Sequence, residues 1–429
     1  MKISNVILYL TNKCKPILIK LFPYEFLKRL KGNMIQKSFS NIEKAIIEPI
    51  NREIFLDGIN LVGNIKAESG LGQSCRLVAD ELAASGIPYS IYQYDQLGVI
   101  AEGNYQKYAD KISPELPYSI NLIHINPHEL GLAFQQGYER IWNKRYNIGF
   151  WLWELEEFPD EWLPCFHCLN EIWTPSKFIS KGIQKKTDLP VVTIPYYVHL
   201  DQPEGEKRMY RQQFYLPHDV FLFLMMYDRT SMTVRKNPKA VLDAYKIAFP
   251  DSKTQNKVGL VIKISNPTKE EITMIRAMVP EQMKVYFITN IMERDRVNQL
   301  IYCVDTVVSL HRAEGFGLVL AEAMLLGIPT IATNWSSNTE FMTNEIACMV
   351  DAKLIELNED IGSFKKGNRW AEPDIEQAAG YMKWLYENEK GRNEIAKKAK
   401  EYIQEHLGMQ QAVDHIRSRV KVIYEENQR

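Results

Sequence analysis

From Ile54 onward, short apolar runs alternate with segments whose apolar residues fall at helical spacing. INLVGNI (Ile59 to Ile65) reads as a strand, and AESGLGQSCRLVADELAASG (Ala67 to Gly86) as a glycine loop entering a helix. Gly86 closes that helix, with Pro88 just beyond. Further strands are predicted over IPYSIYQYD (Ile87 to Asp95), SINLIHIN (Ser119 to Asn126), YNIGFWLWELE (Tyr146 to Glu156) and LPVVTIPYYV (Leu189 to Val198). LNEIWTPSKFISKGI (Leu169 to Ile183) reads as a strand entering a helix that starts near Thr174 or Ser176. His199 to His218 is polar, holds Pro203 and Pro217, and suits a linker with one short helix. The alternation then restarts with VFLFLMMYD (Val220 to Asp228), a helix over Lys236 to Phe249, and strands GLVIKIS (Gly259 to Ser265) and KVYFITN (Lys284 to Asn290). A helical region from about Pro373 to Leu407 and a last helix, Gln410 to Asn427, complete the pattern. Strands alternating with helices predict parallel, doubly wound sheets.

The densest pattern is HRAEGFGLVLAEAMLLGIPTIAT, His311 to Thr333. The strand-like TVVSL (Thr306 to Leu310) precedes it, and IPTIAT ends it as a second strand. Between them Gly317 opens a helix and Gly327 closes it as a left-handed residue. The amides of Phe316, Gly317 and Leu318 then face outward at a helix N-terminus, a place that stabilises phosphate oxygens. Gly315 and Gly317 let the backbone approach a ligand closely. Glu314 lies just before this helix and Glu322 about one and a half turns inside it, placing two carboxylates along one ligand. A second polar loop, Asp228 to Pro238, follows the strand at Val220. It carries Arg229 and the adjacent Arg235 and Lys236, and an Arg fork with a Lys point charge suits a diphosphate.

In the first half, Gly70, Gly72 and Arg76 mark another glycine loop. A dinucleotide fingerprint would need a third glycine where Cys75 stands, and the loop is longer than that turn. His124 closes an apolar strand, where ligands of such sheets gather; a structural histidine is the competing reading. Trp151, Trp153, Glu154, Glu156, Glu157 and Trp162 form an aromatic and acidic cluster suited to a sugar acceptor, or else a core with a solvated rim.

The Glu314–Glu322 segment and its flanking strands resemble the donor site of retaining glycosyltransferases of family 4. These are α/β proteins of GT-B architecture, with two Rossmann-like doubly wound domains facing a cleft and a C-terminal helix that crosses back to the first. WELEEFPDEW is also similar to a subgroup of bacterial members. The resemblance implies an acceptor-side domain over 54–200, a donor-binding domain over 201–409 and the returning helix over 410–429; residues 1–53 read, from their own charge and spacing, as a basic amphipathic arm. It implies that Glu314 contacts the transferred sugar, with His124 near it, and that Glu322 holds the nucleotide ribose. Lys236 matches the family's phosphate-binding lysine, while the arginine at the family's offset is absent, which leaves Arg229 and Arg235. Gly70 and Gly72 would approach the donor phosphate or the acceptor, and Arg76, Trp153 and Glu154 would lie on the acceptor side. The expected activity is transfer of a sugar from a nucleotide-diphosphate sugar to a glycan or lipid-linked acceptor, with retention, in cell-surface polysaccharide assembly. The alternatives are a nucleotide-sugar-binding scaffold without turnover and a sugar-nucleotide epimerase of the same fold.

Composition narrows this further. The 429 residues are 45% hydrophobic and 24% charged with a net charge of −1, which excludes a whole-protein nucleic-acid footprint. Six cysteines in so long a chain do not read as a disulfide framework, and a cytoplasmic setting is expected. Cys165 and Cys168 form a lone C-x-x-C, which does not make a zinc site. There is no Asp-x-Asp motif, so neither a cofactor nor a metal is expected. Residues 1–37 hold eight Lys/Arg and one acid, Glu25, with apolar residues on one helical face broken by Pro16 and Pro23. They suit an arm packed on the first domain, or peripheral contact with the inner membrane surface.

Overall fold

The computed structural model describes residues 24–95, 102–250, 254, 256–281 and 283–427. The basic arm therefore lies outside the described residues up to Pro23. From there α1 (Tyr24–Glu43) begins, and Ser38, Phe39 and Ile42 at its end are buried on the first lobe.

The first lobe is built from β1 (Leu56–Gly63), α2 (Gly70–Ser85), β2 (Tyr89–Gln93), β3 (Tyr118–His124), α3 (Pro127–Gly137), β4 (Tyr146–Phe150), β5 (Glu171–Thr174), α4 (Lys177–Gln184) and β6 (Val191–Thr193). Its strands form one parallel sheet in the order β2-β1-β3-β4-β5-β6. The run 189–198 is predicted as one strand, but only Val191–Thr193 pairs. Pro195 has no N–H to give the ladder, which ends there.

The second lobe follows α5 (Lys207–Gln213). It holds β7 (Phe221–Asp228), α6 (Pro238–Ala248), β8 (Val258–Ser265), α7 (Lys269–Ala277), β9 (Val285–Ile288), α8 (Arg294–Cys303), β10 (Thr306–Ser309), α9 (Leu318–Leu325), β11 (Thr330–Thr333) and β12 (Cys348–Val350). Its parallel sheet runs β12-β11-β10-β7-β8-β9. A hairpin of β13 (Ala352–Glu356) and β14 (Arg369–Pro373) follows, then α10 (Ile375–Glu387), α11 (Glu389–His406) and α12 (Met409–Glu426). Helix is predicted from about Pro373; the hairpin before it is not foreseen.

The strand order reverses between β1 and β3 in one sheet and between β7 and β10 in the other. Helices leave opposite faces at such points and open a crevice at the strands' carboxyl ends. The loops bearing Gly70, Lys236 and Glu314 start there, and His124 ends β3 beside them.

The last helix returns to the first lobe. Arg417 Nε donates to Ser85 O at 2.7 Å, and the Tyr424 hydroxyl accepts from Gly58 N at 2.7 Å. Arg419 donates to both oxygens of Glu171, at 2.8 and 2.6 Å. Glu171 is fully buried and also accepts from Tyr146 Oη at 3.0 Å and Trp173 Nε1 at 2.6 Å. Removing Arg419 leaves a buried carboxylate without its cation. Arg419→Ala is expected to lower the unfolding free energy by about 3 kcal/mol in denaturant titration. A change under about 0.5 kcal/mol would mean the contact is an ordinary surface pair.

Candidate functional site

The donor-side loop is local chemistry set by sequence. Gly317 stands at φ +93° as the residue before α9, a conformation that penalises any side chain with Cβ. The amides of Leu320 and Ala321 bond Gly317 O, and those before them at the start of α9 have no partner within the helix. Phe316 is buried, with its ring 4.9 Å from Tyr196 of the first lobe and 5.2 Å from Phe341, so the loop is clamped from both sides.

Glu314 sits at the centre. Its N–H donates to Ser336 Oγ at 3.0 Å. Its carboxylate is ion-paired with Lys236 Nζ and lies 3.8 Å from Arg235 Nη1. Burial alone would raise the Glu314 pKa, but Lys236 and Arg235 outweigh it and bring it down to about 2. Burial, and next the neighbouring Arg235, lower the Lys236 ammonium.

Arg235 and Lys236 reach this place through a one-turn helix, Thr233–Lys236, ended by Asn237 in the left-handed region. Arg235 Nη1 donates to Ala313 O at 2.8 Å, and the Arg312 amide donates to Arg235 O at 2.8 Å. Of the two candidate arginines, geometry brings Arg235 to Lys236 and Glu314. Arg229 is half-exposed and faces Glu271 at 3.6 Å, away from the pair.

Glu322 is buried and in ion-pair contact with Arg294, the first residue of α8. Arg294 was not foreseen. It lies upstream of the motif, twenty-eight residues before Glu322, and its side chain only meets Glu322 once α8 and α9 pack together. Lys263, near the carboxyl end of β8, is a second buried cation that the sequence did not flag.

On the first-lobe wall, Gly72 has no room for a side chain, because a Cβ would stand 1.9 Å from Ala67 O. Its absence of a side chain serves the loop's own packing. At Gly70 a Cβ would meet nothing within 4 Å. Arg76 does not reach the acceptor side as the resemblance implies. It is buried and donates to Ile65 O at 3.1 Å and Ala67 O at 2.9 Å, bracing the loop. His124 Nε2 bonds Ser74 Oγ at 2.6 Å, Ser74 in turn touches Tyr196 Oη, and the imidazole stacks on Phe150 at 5.1 Å. Burial pushes His124 down to about 4, so it is neutral at pH 7.

The aromatic cluster divides cleanly. Trp151, Trp153 and Trp162 are buried. Trp153 packs edge-on with Trp162 at 5.0 Å and Phe364 at 5.3 Å, so it belongs to a core between the lobes rather than to an open sugar platform. The acids form the rim. Glu154 lies 3.7 Å from Arg235, Glu156 pairs with Arg369 at 2.8 Å and Glu161 with Lys365 at 3.0 Å. The cleft is tied again by the turn Ser337–Glu340. Glu340 accepts the first two N–H groups of α4, from Lys177 at 3.0 Å and Phe178 at 2.7 Å, and Ser337 Oγ bonds Ser176 Oγ at 2.9 Å.

Among the described residues, no His/Cys/Asp/Glu group is placed to hold a metal. Cys165 and Cys168 are buried and unbridged, and Cys168 Sγ donates to Cys165 O at 3.2 Å. No helix among the described residues is long and apolar enough to cross a membrane.

Residues 210–402 match the family model for glycosyl transferases group 1. That stretch carries Arg229, Arg235, Lys236, Arg294, Glu314 and Glu322. A search of curated proteins found no match. Among solved structures, HepE from Anabaena, determined with UDP and glucose, superposes with a TM-score of 0.62 at 12% identity over 85% of this chain and 100% of its own. The sucrose-phosphate synthase of Thermosynechococcus elongatus gives a TM-score of 0.62 at 14% identity over 86% and 100%. A glycosyltransferase from Rickettsia africae gives 0.60 at 13% identity over 86% and 99%. With the two parallel six-stranded sheets and the returning helix, these likenesses place the chain in the GT-B fold.

His311 is fully buried between Ser309 Oγ at 3.0 Å and Asn338 Oδ1 at 3.1 Å, and burial holds it down to about 4. Between about pH 4 and pH 6.5 the unfolded chain therefore binds a proton at this position that the folded chain does not, and stability falls on acidification. Glu81, pushed up to about 8 by burial, acts in the opposite sense, so the test is differential. From pH 7 to pH 5 the Tm of the wild type is expected to lose more than that of His311→Gln. Parallel curves would contradict the buried neutral imidazole.

Proposed function

We propose that this protein is a retaining, metal-independent glycosyltransferase of family 4 type. It moves a sugar from a nucleotide-diphosphate sugar to a glycan or lipid-linked acceptor, in the assembly of cell-surface polysaccharide at the cytoplasmic side. The observation that carries the reading is the cluster of Lys236, Arg235 and Glu314 at the N-terminus of α9, where the strand order of the second sheet reverses. The group 1 match over residues 210–402 supports the same reaction class, and HepE, a protein of this fold, binds UDP-glucose.

In this reading the diphosphate lies against the amides of Phe316, Gly317 and Leu318, with Gly70 across the crevice. As the bond from the anomeric carbon to the diphosphate breaks, negative charge grows on the leaving oxygens. Lys236, Arg235 and the helix amides are already in place to stabilise that charge, so they favour the transition state over the ground state. Glu314, held ionised by the same cations, orients the sugar hydroxyls and stabilises positive charge at the anomeric centre. Glu322 accepts from the ribose. The leaving phosphate takes the acceptor proton on the same face of the sugar, which retains the configuration and requires no separate protein base. In this reading His124, neutral and bonded to Ser74, contacts the sugar without carrying a proton. Glu154, across from Gly315, is the first-lobe carboxylate positioned to meet an acceptor hydroxyl.

The test is nucleotide release from a panel of nucleotide sugars, with and without acceptor. Turnover is expected to persist in EDTA, and Lys236→Ala or Glu314→Ala to lower kcat about a hundredfold or more. Full dependence on a divalent cation would overturn the metal-free reading. Wild-type turnover in Glu314→Ala would remove that residue's role.

A further inference from the structure

Glu322 is the most deeply buried acid of the cleft, and its surroundings raise a question of chemistry. A carboxylate can accept from both hydroxyls of a ribose only while it is ionised and held in one orientation. At 1% exposure it loses the solvation that would keep it charged. Among the described residues, Arg294 is the one cation in ion-pair contact with it. Arg294 comes from the start of α8, just past the carboxyl end of β9, where a nucleoside would enter. Its Nε and Nη2, like Glu322 Oε2, are buried without a hydrogen-bond partner among the described residues, so the contact with Glu322 is one of charge. The guanidinium is therefore not held by its own loop, as Arg76 is. Across the crevice, Glu68 follows β1 of the first lobe and acts electrostatically on Arg294, with Arg76 at 3.8 Å behind it.

We propose that Arg294 is the positioning residue for the ribose carboxylate: it fixes Glu322 as an ionised, oriented acceptor and thereby sets a preference for ribonucleotide over deoxyribonucleotide. This rests on the reading of the cleft as a nucleotide-sugar site and adds to it the residue that governs sugar-ring selectivity of the nucleotide. A planar fork anchors a carboxylate in one rotamer, which an ammonium on a flexible stem does less well. Glu68 supplies the opposite charge on the far wall, so Arg294 stays in place between two acids rather than swinging into solvent.

The experiment measures Kd for UDP, GDP and ADP, each beside its 2′-deoxy counterpart, on the full chain. The wild type is expected to bind the ribo form of its favoured nucleotide about tenfold or more tighter than the deoxy form. In Arg294→Met that ratio falls towards one, mainly through loss of ribonucleotide affinity. Arg294→Lys keeps part of it. A purely structural role would weaken both forms alike and leave the ratio intact, and that result overturns the proposal. So does tighter binding of both forms by Arg294→Met, which would make Arg294 a plug rather than a guide. Should Arg294→Met not fold, the ratio in Arg294→Lys decides: a reduced ratio supports the proposal and an unchanged one overturns it. A wild type that binds a nucleotide without ribose preference rejects this inference alone. A wild type that binds none rejects the function reading and this inference with it.

Discussion

A partly buried carboxylate kept charged by two cations organises this molecule. Glu314 would be a poor anion in so dry a crevice were it not for Lys236 and Arg235, which bring its pKa down to about 2. The same two cations are what a diphosphate requires. They satisfy Glu314 here; in the proposed reading a bound diphosphate would share them with Glu314. The polar groups are thus placed before the reaction begins, which is where electrostatic catalysis gains its advantage over water.

Holding those groups requires both lobes. Arg235 is fixed from its own lobe by Ala313 and faces Glu154 from the other. Ser336 accepts the Glu314 amide, and two residues on Asn338 bonds His311, while Glu340 of the same turn caps α4 of the first lobe. One short turn therefore links the position of Glu314 to the seating of the first lobe. The hairpin β13–β14 adds a second link. Phe364, in the segment joining its strands, enters the aromatic core around Trp153, and Lys365 and Arg369 engage the acids of WELEEFPDEW. Helix α12 supplies the third through Arg419 and Glu171. A shift of the lobes would be felt at Glu314 through packed side chains rather than through a flexible loop.

What the chain discloses about itself follows from how local each feature is. The step from β10 through Gly317 into α9 is written in consecutive residues: a strand run, a glycine with positive φ and an apolar helix. The parallel sheets were legible for the same reason, from alternation alone. Arg294 was not, because its meeting with Glu322 depends on how α8 packs on α9. Arg76 looked like a cleft residue by its place after Gly72, but its guanidinium turns back to loop carbonyls that only the folded loop presents. Trp153 carried two readings from sequence; burial by Phe364, over two hundred residues away, decides for the core. The choice of Arg235 over Arg229 likewise needed the one-turn helix that points the first inward and leaves the second beside Glu271.

The most direct measurement is a crystal structure of the protein with a bound nucleoside diphosphate. The account predicts phosphate oxygens against the amides of Phe316 to Leu318, with Lys236 and Arg235 in contact with them and the ribose on Glu322. A diphosphate bound elsewhere on the chain, or a cleft that stays shut at saturating ligand, would contradict it.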